Sequence, residues 1–442
     1  MIRLKLPQII LLSTVFLLIG GIIARDFLLG LFEFSIAVSL LFGLYVWYQA
    51  KIRANTLPLP KDARVWLWVI LLFIVLNYIP EIIHILNGEK YEGRLAAFFE
   101  RYAHLLAVIA IFFTMLYLRL PVISIWKLLI LCALWVGLVI VFEAIYYNLL
   151  PSNWHQIRFG AIASSSTIDF GIYANMLFII LLGAFFWARI LGFKWVVLLV
   201  IAIVVLFTGT ILSQSRTAWI GWPEAFIGWG LLFLYFLKSK NKRQLFVLTT
   251  SLILVFLLVI LSPLKNPIVD RFNLVVKDVH MYLDGDPRTS LGYRFVMYEA
   301  AILQIKKQPL TGMSINNFET FLPEATERVF AERFGINEQL TFTQIHNQFL
   351  MTALVRGIPV AIFSMLIFAW LLYYFVKRLQ EFKSIESKTL PVAGVVFTVA
   401  AFLSTLPESP FFNKVMLIYY FLVFSILIYM CEKERISNSR KD

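Results

Sequence analysis

Long apolar runs separated by short polar connections dominate this chain. About 20 apolar residues in a helix cross the hydrocarbon core of a bilayer. Runs of this kind lie near residues 9–24, 27–49, 65–83, 102–118, 122–148, 168–188, 195–212, 217–237, 245–262, 347–376, 391–406 and 414–431. The pattern predicts an all-α polytopic membrane protein with about twelve transmembrane helices.

The composition excludes a soluble enzyme and a disordered chain. Of the 442 residues, 60% are hydrophobic and only 15% are charged, whereas a soluble chain is about 45–50% apolar and about 25% charged. Two cysteines cannot form a disulfide framework, and Cys132 and Cys431 both lie in apolar runs, as packing residues do. Because no small-residue cleavage pattern precedes Arg25, we expect the first run to be an uncleaved membrane helix.

The formal net charge of +13 indicates topology rather than a nucleic-acid partner. If both termini face the cytoplasm, the cytoplasmic stretches hold 22 basic and 6 acidic residues, a net charge of +16. The outer stretches then hold 17 basic and 20 acidic residues, a net charge of −3. This distribution obeys the positive-inside rule and predicts contact with anionic lipids of the inner leaflet.

One connection is far longer than an ordinary loop and predicts a small helical domain on the outer face. The predicted division is therefore 1–262 with helices 1–9, 263–346 as the outer loop domain, and 347–442 with helices 10–12 and a cytoplasmic tail. Within the loop domain, Tyr293–Gln308 predicts an amphipathic helix with Phe295, Ala301, Ile302 and Ile305 near one face. A second helix is predicted over Pro323–Arg333.

Arg216 is the sharpest candidate for chemistry. It follows Ser215 in the very short connection between the seventh and eighth runs, at the outer membrane boundary. One interpretation is an interfacial anchor, supported by Trp219 and Trp222. The other is a guanidinium that holds a phosphate in an outward cavity, and this residue alone leaves the two open.

Other polar residues of the outer face offer related chemistry. Arg288 and Arg294 lie just before and within the first loop helix, where the helix dipole does not favour cations. His346, followed by Asn347, stands where the loop re-enters the membrane, and an imidazole there could take a proton from a hydroxyl or serve only as a structural residue. Arg158 is a weaker candidate in another outer loop.

Metal and nucleotide chemistry have little support in the sequence. Asp284-Gly285-Asp286 is similar to the Asp-x-Asp metal site of some sugar transferases, but with Pro287 after it a solvated turn is the simpler interpretation. The sequence has no cysteine–histidine cluster, P-loop or dinucleotide glycine pattern. We therefore expect no metal and no cofactor.

The order of these motifs resembles the O-antigen ligase and polymerase superfamily of bacterial polysaccharide assembly. The family has a Ser-Arg pair at the outer start of a helix, then Arg-x-x-x-Trp-x-x-Ala, Pro-Leu-x-Gly, Gly-x-x-Asn-Phe, and His-Asn-x-x-Leu followed by Glu-Leu-Gly. The matching residues here are Ser215, Arg216 and Trp219; Arg294, Tyr298 and Ala301; Pro309, Leu310 and Gly312; Asn316, Asn317 and Phe318; and His346, Asn347, Leu350 and Val355–Gly357. The departures are Tyr298 in place of tryptophan and Val360 in place of a second glycine.

The resemblance implies a GT-C-like bundle in the bacterial inner membrane, with both termini cytoplasmic and the active site facing the periplasm. It implies transfer of O-antigen from undecaprenyl pyrophosphate to a sugar hydroxyl of the lipid A–core. Arg216 and Arg294 would bind the pyrophosphate and His346 would be the base. Arg288, Arg158, Ser215 and Asn347 would contribute to substrate binding.

Three alternatives stay open at this point. An O-antigen polymerase or a protein O-oligosaccharyltransferase would use the same donor with a different acceptor. A transporter, including a flippase for the lipid-linked sugar, belongs to a different class. Against a twelve-helix transporter, the central connection Arg189–Lys194 is short and the long one lies near the last third of the chain.

Overall fold

The computed structural model describes residues 4–52, 59–89, 95–148, 157–160, 162, 166–237 and 265–439, which form helices and no strand. The α-helices are α1 (Leu6–Ile23), α2 (Arg25–Ile52), α3 (Lys61–Leu86), α4 (Leu95–Ala103), α5 (Leu105–Leu118), α6 (Val122–Tyr146), α7 (Thr167–Leu181), α8 (Ala188–Leu191), α9 (Phe193–Leu212), α10 (Arg216–Trp219), α11 (Trp222–Leu237), α12 (Lys265–Leu283), α13 (Ser290–Lys307), α14 (Phe318–Phe334), α15 (Gln348–Arg356), α16 (Ile358–Glu381), α17 (Ile385–Ser404) and α18 (Lys414–Asn438). Three 3-10 segments lie at Leu182–Trp187, Ile315–Asn317 and Pro410–Phe412.

Ten helical stretches of the described residues are long and apolar enough to cross a membrane. They are Leu6–Ile23, Gly30–Ile52, Lys61–Leu86, Phe99–Leu118, Val122–Tyr146, Thr167–Leu191, Phe193–Leu212, Ile358–Glu381, Ile385–Ser404 and Lys414–Asn438. The all-α polytopic class is therefore confirmed. The predicted run 245–262 lies outside the described residues, and the run 217–237 is divided between α10 and α11, so the count of twelve stays a prediction.

Two hydrophobic cores organise the chain. The larger core fills the helical bundle, and its centre is formed by Thr167–Leu191 and Lys414–Asn438, whose apolar windows are completely buried. Both cysteines are buried there, as expected of packing residues. The smaller core joins α13, α14 and α15 through residues such as Val296, Phe330 and Leu354.

The prediction of one continuous helix over 347–376 is wrong. The helix α15 ends at Arg356, and α16 begins at Ile358 after Gly357, whose φ is +85°. A Cβ on Gly357 would lie 2.0 Å from the Leu310 carbonyl oxygen, so the Pro-Leu-x-Gly segment occupies the space that a side chain would need. The short helix α15 consequently packs in the smaller core, and the membrane span starts at Ile358.

A buried ion pair fixes this break. The Arg356 guanidinium donates to the Glu81 carboxylate, and both side chains are fully buried. Glu81 also accepts from the Ile315 backbone N–H at 3.2 Å and from the Ser314 hydroxyl at 3.5 Å. The end of α3 therefore holds α15 and the 314–317 turn in one arrangement.

The loop helices exist, but their bounds and buried face differ from the prediction. α13 covers Ser290–Lys307, and α14 begins at Phe318, before the predicted start at Pro323. The apolar face predicted for α13 is partly wrong, because Phe295 and Ile302 are 40% and 43% exposed. Ala301 is buried as predicted. Ala300, Val296 and Met297 are buried beside it, and the two small alanines allow α14 and α15 to approach closely.

Candidate functional site

One face of α13 carries the polar residues of the candidate site. Ser290, Arg294 and Tyr298 are four residues apart, so they project from the same side of the helix. Each step of four residues advances about 6 Å along an α-helix. This face therefore presents polar groups at three levels spaced along the helix.

Arg216 lies at the Ser290 level. Its Nη2 donates to the Ser290 hydroxyl at 3.3 Å, and its Nη1 lies 3.6 Å from the Asp278 carboxylate of α12. The arginine side chain is 33% exposed. Ser215 is buried, and its hydroxyl accepts from the Ala218 backbone N–H at 3.4 Å as the N-cap of α10. Ser215 therefore fixes the start of the turn that carries Arg216.

Glu408 joins Arg294 to His346 at the next level. One carboxylate oxygen accepts from Arg294 Nη2 at 3.4 Å. The other accepts from His346 Nδ1 at 3.0 Å and from Gln344 Nε2 at 3.3 Å. Because a carboxylate only accepts hydrogen bonds, this contact places a proton on Nδ1, and in the neutral form of the imidazole the lone pair is then on Nε2.

The backbone of His346 is held in an unusual conformation. Its φ is +53°, in the left-handed region that is uncommon for residues other than glycine. The Tyr298 hydroxyl donates to the His346 carbonyl oxygen at 2.8 Å, and burial raises the pKa of this hydroxyl, which keeps it protonated as a donor. On the other side, the Asn347 side chain accepts from the Phe349 and Leu350 backbone N–H groups as the N-cap of α15.

Gln348 forms hydrogen bonds between the segment that carries His346 and the connection that carries Glu408. Its backbone N–H donates to the Thr405 carbonyl oxygen at 2.9 Å, and its side-chain oxygen accepts from the Phe411 N–H at 2.7 Å. The segment that carries His346 and the segment that carries Glu408 are thus attached to each other. This arrangement positions the imidazole before any substrate is present.

Arg158 and Arg288, the arginines expected to contribute to substrate binding, occupy different places. Arg158 Nε donates to the Ser213 carbonyl oxygen at 3.2 Å, so Arg158 packs on the turn that leads to Arg216. Arg288 is 57% exposed and pairs with Asp286 through two bonds of 2.8 and 3.1 Å. The Arg288 guanidinium lowers the pKa of the Asp286 carboxyl, and Gly285 has a φ of +88°, consistent with the predicted solvated turn.

One cluster has the composition of a metal site. Oxygen and nitrogen atoms of Glu33, Glu100 and His104 lie within 4.8 Å of one another. Lys414 Nζ lies 2.8 Å from each of the two carboxylates and offsets one of their two negative charges as an ammonium ion. The cluster therefore has the contacts of a salt-bridge network that joins α2, α4 and α18.

The sequence analysis did not identify Glu408 or Gln344. A usable signal was present, because Glu408 is an acidic residue between two prolines in the short outer connection before the last helix. A buried acid at a membrane boundary needs a cationic or hydrogen-bonding partner. Its partners are 62 and 114 residues away in sequence, and the sequence spacing does not reveal them.

These observations define a class: a polytopic helical membrane protein in which two arginines, a histidine and a carboxylate gather along one face of α13. Comparison with known proteins shows which family the chain resembles. Residues 201–365 match the family model described as O-Antigen ligase, which confirms the resemblance of this chain to the O-antigen ligase family. The matched region contains Arg216, Arg294 and His346 but ends before Glu408.

Two relatives extend the comparison. An uncharacterised protein of Haemophilus influenzae is 29% identical over 201 residues, which are 45% of this chain and 48% of the relative. A protein named O-antigen ligase from Escherichia coli is 27% identical over 165 residues, which are 37% of each chain. The alignments thus span less than half the length of these relatives.

Proposed function

We propose that this protein is an O-antigen ligase of the bacterial inner membrane. It transfers polysaccharide from undecaprenyl pyrophosphate to a sugar hydroxyl of lipid A–core at the periplasmic face. The observation that carries this proposal is the arrangement along α13, where Arg216 contacts Ser290, Glu408 contacts Arg294, and His346 contacts both Glu408 and Tyr298. Cations for a leaving pyrophosphate and a base for an acceptor hydroxyl are the two requirements of such a transfer.

The proposed step is a displacement with inversion at the anomeric carbon. The acceptor oxygen forms the new bond to that carbon while the bond to the pyrophosphate oxygen breaks, and the pyrophosphate lipid leaves with the electron pair. The hydroxyl proton moves to Nε2 of His346, and Glu408 stabilises the resulting imidazolium. Arg216 and Arg294 stabilise the charge on the leaving group, which assigns to guanidinium groups the work of a divalent metal.

The remaining predicted site residues receive smaller roles. Arg158 lies against the turn before Arg216 and could contact a distal phosphate or glycan. Arg288 could do so only from an exposed position beside Asp286. Ser215 and Asn347 use their side chains as helix caps, so we propose that they position Arg216 and His346.

The proposed topology follows from the charges. The segment 263–346 lies in the periplasm together with α15, and the segments 1–262 and 358–442 form the membrane bundle with both termini in the cytoplasm. The excess of lysine and arginine in the connections on the side of the termini supports this orientation.

Lipopolysaccharide from a strain lacking the gene tests the proposal. Loss of a ligase leaves bare lipid A–core, with the glycan stranded on its lipid carrier. Core that bears a single repeat unit would instead identify a polymerase, and unchanged lipopolysaccharide with lost protein glycosylation would identify a protein glycosyltransferase.

Transfer by purified protein separates an enzyme from a transporter. The protein is mixed with lipid-linked O-antigen and lipid A–core, and ligated product is measured beside His346→Ala, which is expected to lose about 100- to 10,000-fold in rate. Wild-type protein that forms no product would overturn the proposal.

A further inference from the structure

A polar cavity adjoins the His346–Glu408 pair. It has a volume of about 240 Å³, and six of its lining residues are polar. These are Ser166, Asp169, Gln344, Glu408, Ser409 and Asn413. They come from the start of α7, the segment before α15 and the connection between α17 and α18.

The charges of this cavity differ from those around Arg216. Asp169 and Glu408 contribute carboxylates, and no lysine or arginine is among the described residues that line it. Asp169 is oriented by Asn413, whose Nδ2 donates to Oδ2 at 2.7 Å. Carboxylates repel phosphates and sugar acids but accept hydrogen bonds from neutral hydroxyl groups.

Ser409 provides an independent indication of a ligand. Ser409 lines the cavity and is 1% exposed, and its buried hydroxyl has no hydrogen-bond partner among the described residues. Buried polar groups are nearly always satisfied by protein, water or ligand. The unpartnered hydroxyl therefore indicates that the cavity holds a polar occupant.

The size of the cavity limits that occupant. Its volume of about 240 Å³ is below the roughly 300–1,000 Å³ of pockets for drug-sized ligands. It also far exceeds the roughly 10–15 Å³ that one water molecule requires. One sugar ring fits these limits, and a longer glycan would have to extend outside.

We infer that this cavity binds one neutral sugar ring of the acceptor, an inference that rests on the proposed transferase function. Two of its residues, Gln344 and Glu408, also form the hydrogen bonds that orient His346. A hydroxyl of the bound ring is thus kept near the base that removes its proton. The donor pyrophosphate is held instead by the arginines, because the cavity supplies no cation for it.

The test compares the affinities of Ser409→Ala and Ser409→Val proteins for the two substrates. Binding of purified lipid A–core and of lipid-linked O-antigen is measured in detergent by thermophoresis. Ser409→Ala is expected to weaken lipid A–core binding by about threefold to tenfold, the effect of one hydrogen bond. Ser409→Val adds bulk and is expected to weaken it further, with the Kd for the donor unchanged.

Ser364→Val is the matched control. Ser364 is also 1% exposed, but its hydroxyl donates to the Val360 carbonyl oxygen within α16 at 2.9 Å, and it does not line the cavity. Both Kd values are expected to stay at the wild-type level in this variant. All variants are first compared by size-exclusion chromatography and thermal unfolding.

Binding and transfer are judged separately. Unchanged affinity for lipid A–core in both Ser409 variants, or weaker binding of the donor alone, would overturn the acceptor subsite while wild-type transfer still supports the ligase. Wild-type protein that binds lipid A–core through Ser409 but forms no product would overturn the ligase and leave the subsite supported.

Discussion

The substitution Glu408→Gln tests how the candidate base is oriented. It keeps the size of the side chain but removes the negative charge that lies 3.0 Å from His346 Nδ1 and 3.4 Å from Arg294 Nη2. Glu408 is only 4% exposed, so water does not replace the lost charge. A hydrogen bond to a charged group contributes about 1.5–3 kcal/mol, which corresponds to a decrease in kcat of about 10- to 150-fold.

The assay is transfer by purified protein with both lipid substrates, from which kcat and each KM are obtained. The effect is expected mainly in kcat, because the carboxylate stabilises an imidazolium that forms only during the reaction. Glu408→Asp, which keeps the charge on a shorter side chain, is expected to retain more activity than Glu408→Gln.

Glu299→Gln is the matched control, since Glu299 of α13 pairs with Arg333 of α14 at 2.5 Å and both side chains are exposed. Its activity is expected to remain within about twofold of wild type, as for other exposed ion pairs. If Glu408→Gln, inserted and folded normally, transfers at the wild-type rate, the role assigned to the carboxylate is refuted.

Four further predictions concern the arginines and the loop break. Arg216→Ala is expected to reduce kcat/KM by about 100- to 1,000-fold, the cost of losing one donor to a developing anion; a loss below tenfold would favour the membrane-anchor interpretation. Arg288→Ala is expected to lose less than about tenfold, because this exposed guanidinium is already paired, and an equal loss in both variants would contradict that ranking. Gly357→Ala is expected to lower the free energy of unfolding by at least about 2 kcal/mol, because it combines a left-handed backbone with a carbonyl contact; Gly230→Ala, with no atom within 4 Å, is the control in thermal unfolding. Glu81→Ala removes the carboxylate that is paired with the buried Arg356 guanidinium and is expected to destabilise the protein by about 3–5 kcal/mol, so a wild-type unfolding temperature would show that this pair does not hold the turn.

The membrane helices were predictable because their signal is local. A run such as Val122–Tyr146 is apolar throughout, and its length matches the bilayer whatever its neighbours are. The positions of Arg216, Arg294 and His346 at helix starts and re-entry points also followed from local order and charge. The three residues meet at α13: Arg294 belongs to this helix, Arg216 contacts its Ser290, and His346 contacts its Tyr298.

The remaining features depend on contacts between distant segments. The break at Gly357 depends on the Leu310 carbonyl, which lies where a Cβ would be. Leu310 is outside the run 347–376, so the residues of that run alone do not predict the break. The apolar face predicted for α13 was right for Ala301 and wrong for Phe295 and Ile302, because close packing of α14 and α15 buries the small residues Ala300 and Ala301. Glu408 belongs to the same category, since its partners come from other segments.

Arg216 and Arg294 have contacts that hold them in place, but these contacts do not use all of their hydrogen-bond donors. Among the described residues each has one carboxylate partner, at 3.6 Å for Arg216 and 3.4 Å for Arg294, which are long distances for a bond between charged groups. A guanidinium has five N–H donors, and the described contacts engage two nitrogens of Arg216 and one of Arg294. Asp278 and Glu408 thus fix the orientation of the arginines and leave donors available for an anion. Such preorganised donors need little rearrangement as charge develops on a leaving group. Two arginines with unused donors beside an oriented histidine therefore favour the proposed transfer from a pyrophosphate over a purely structural role.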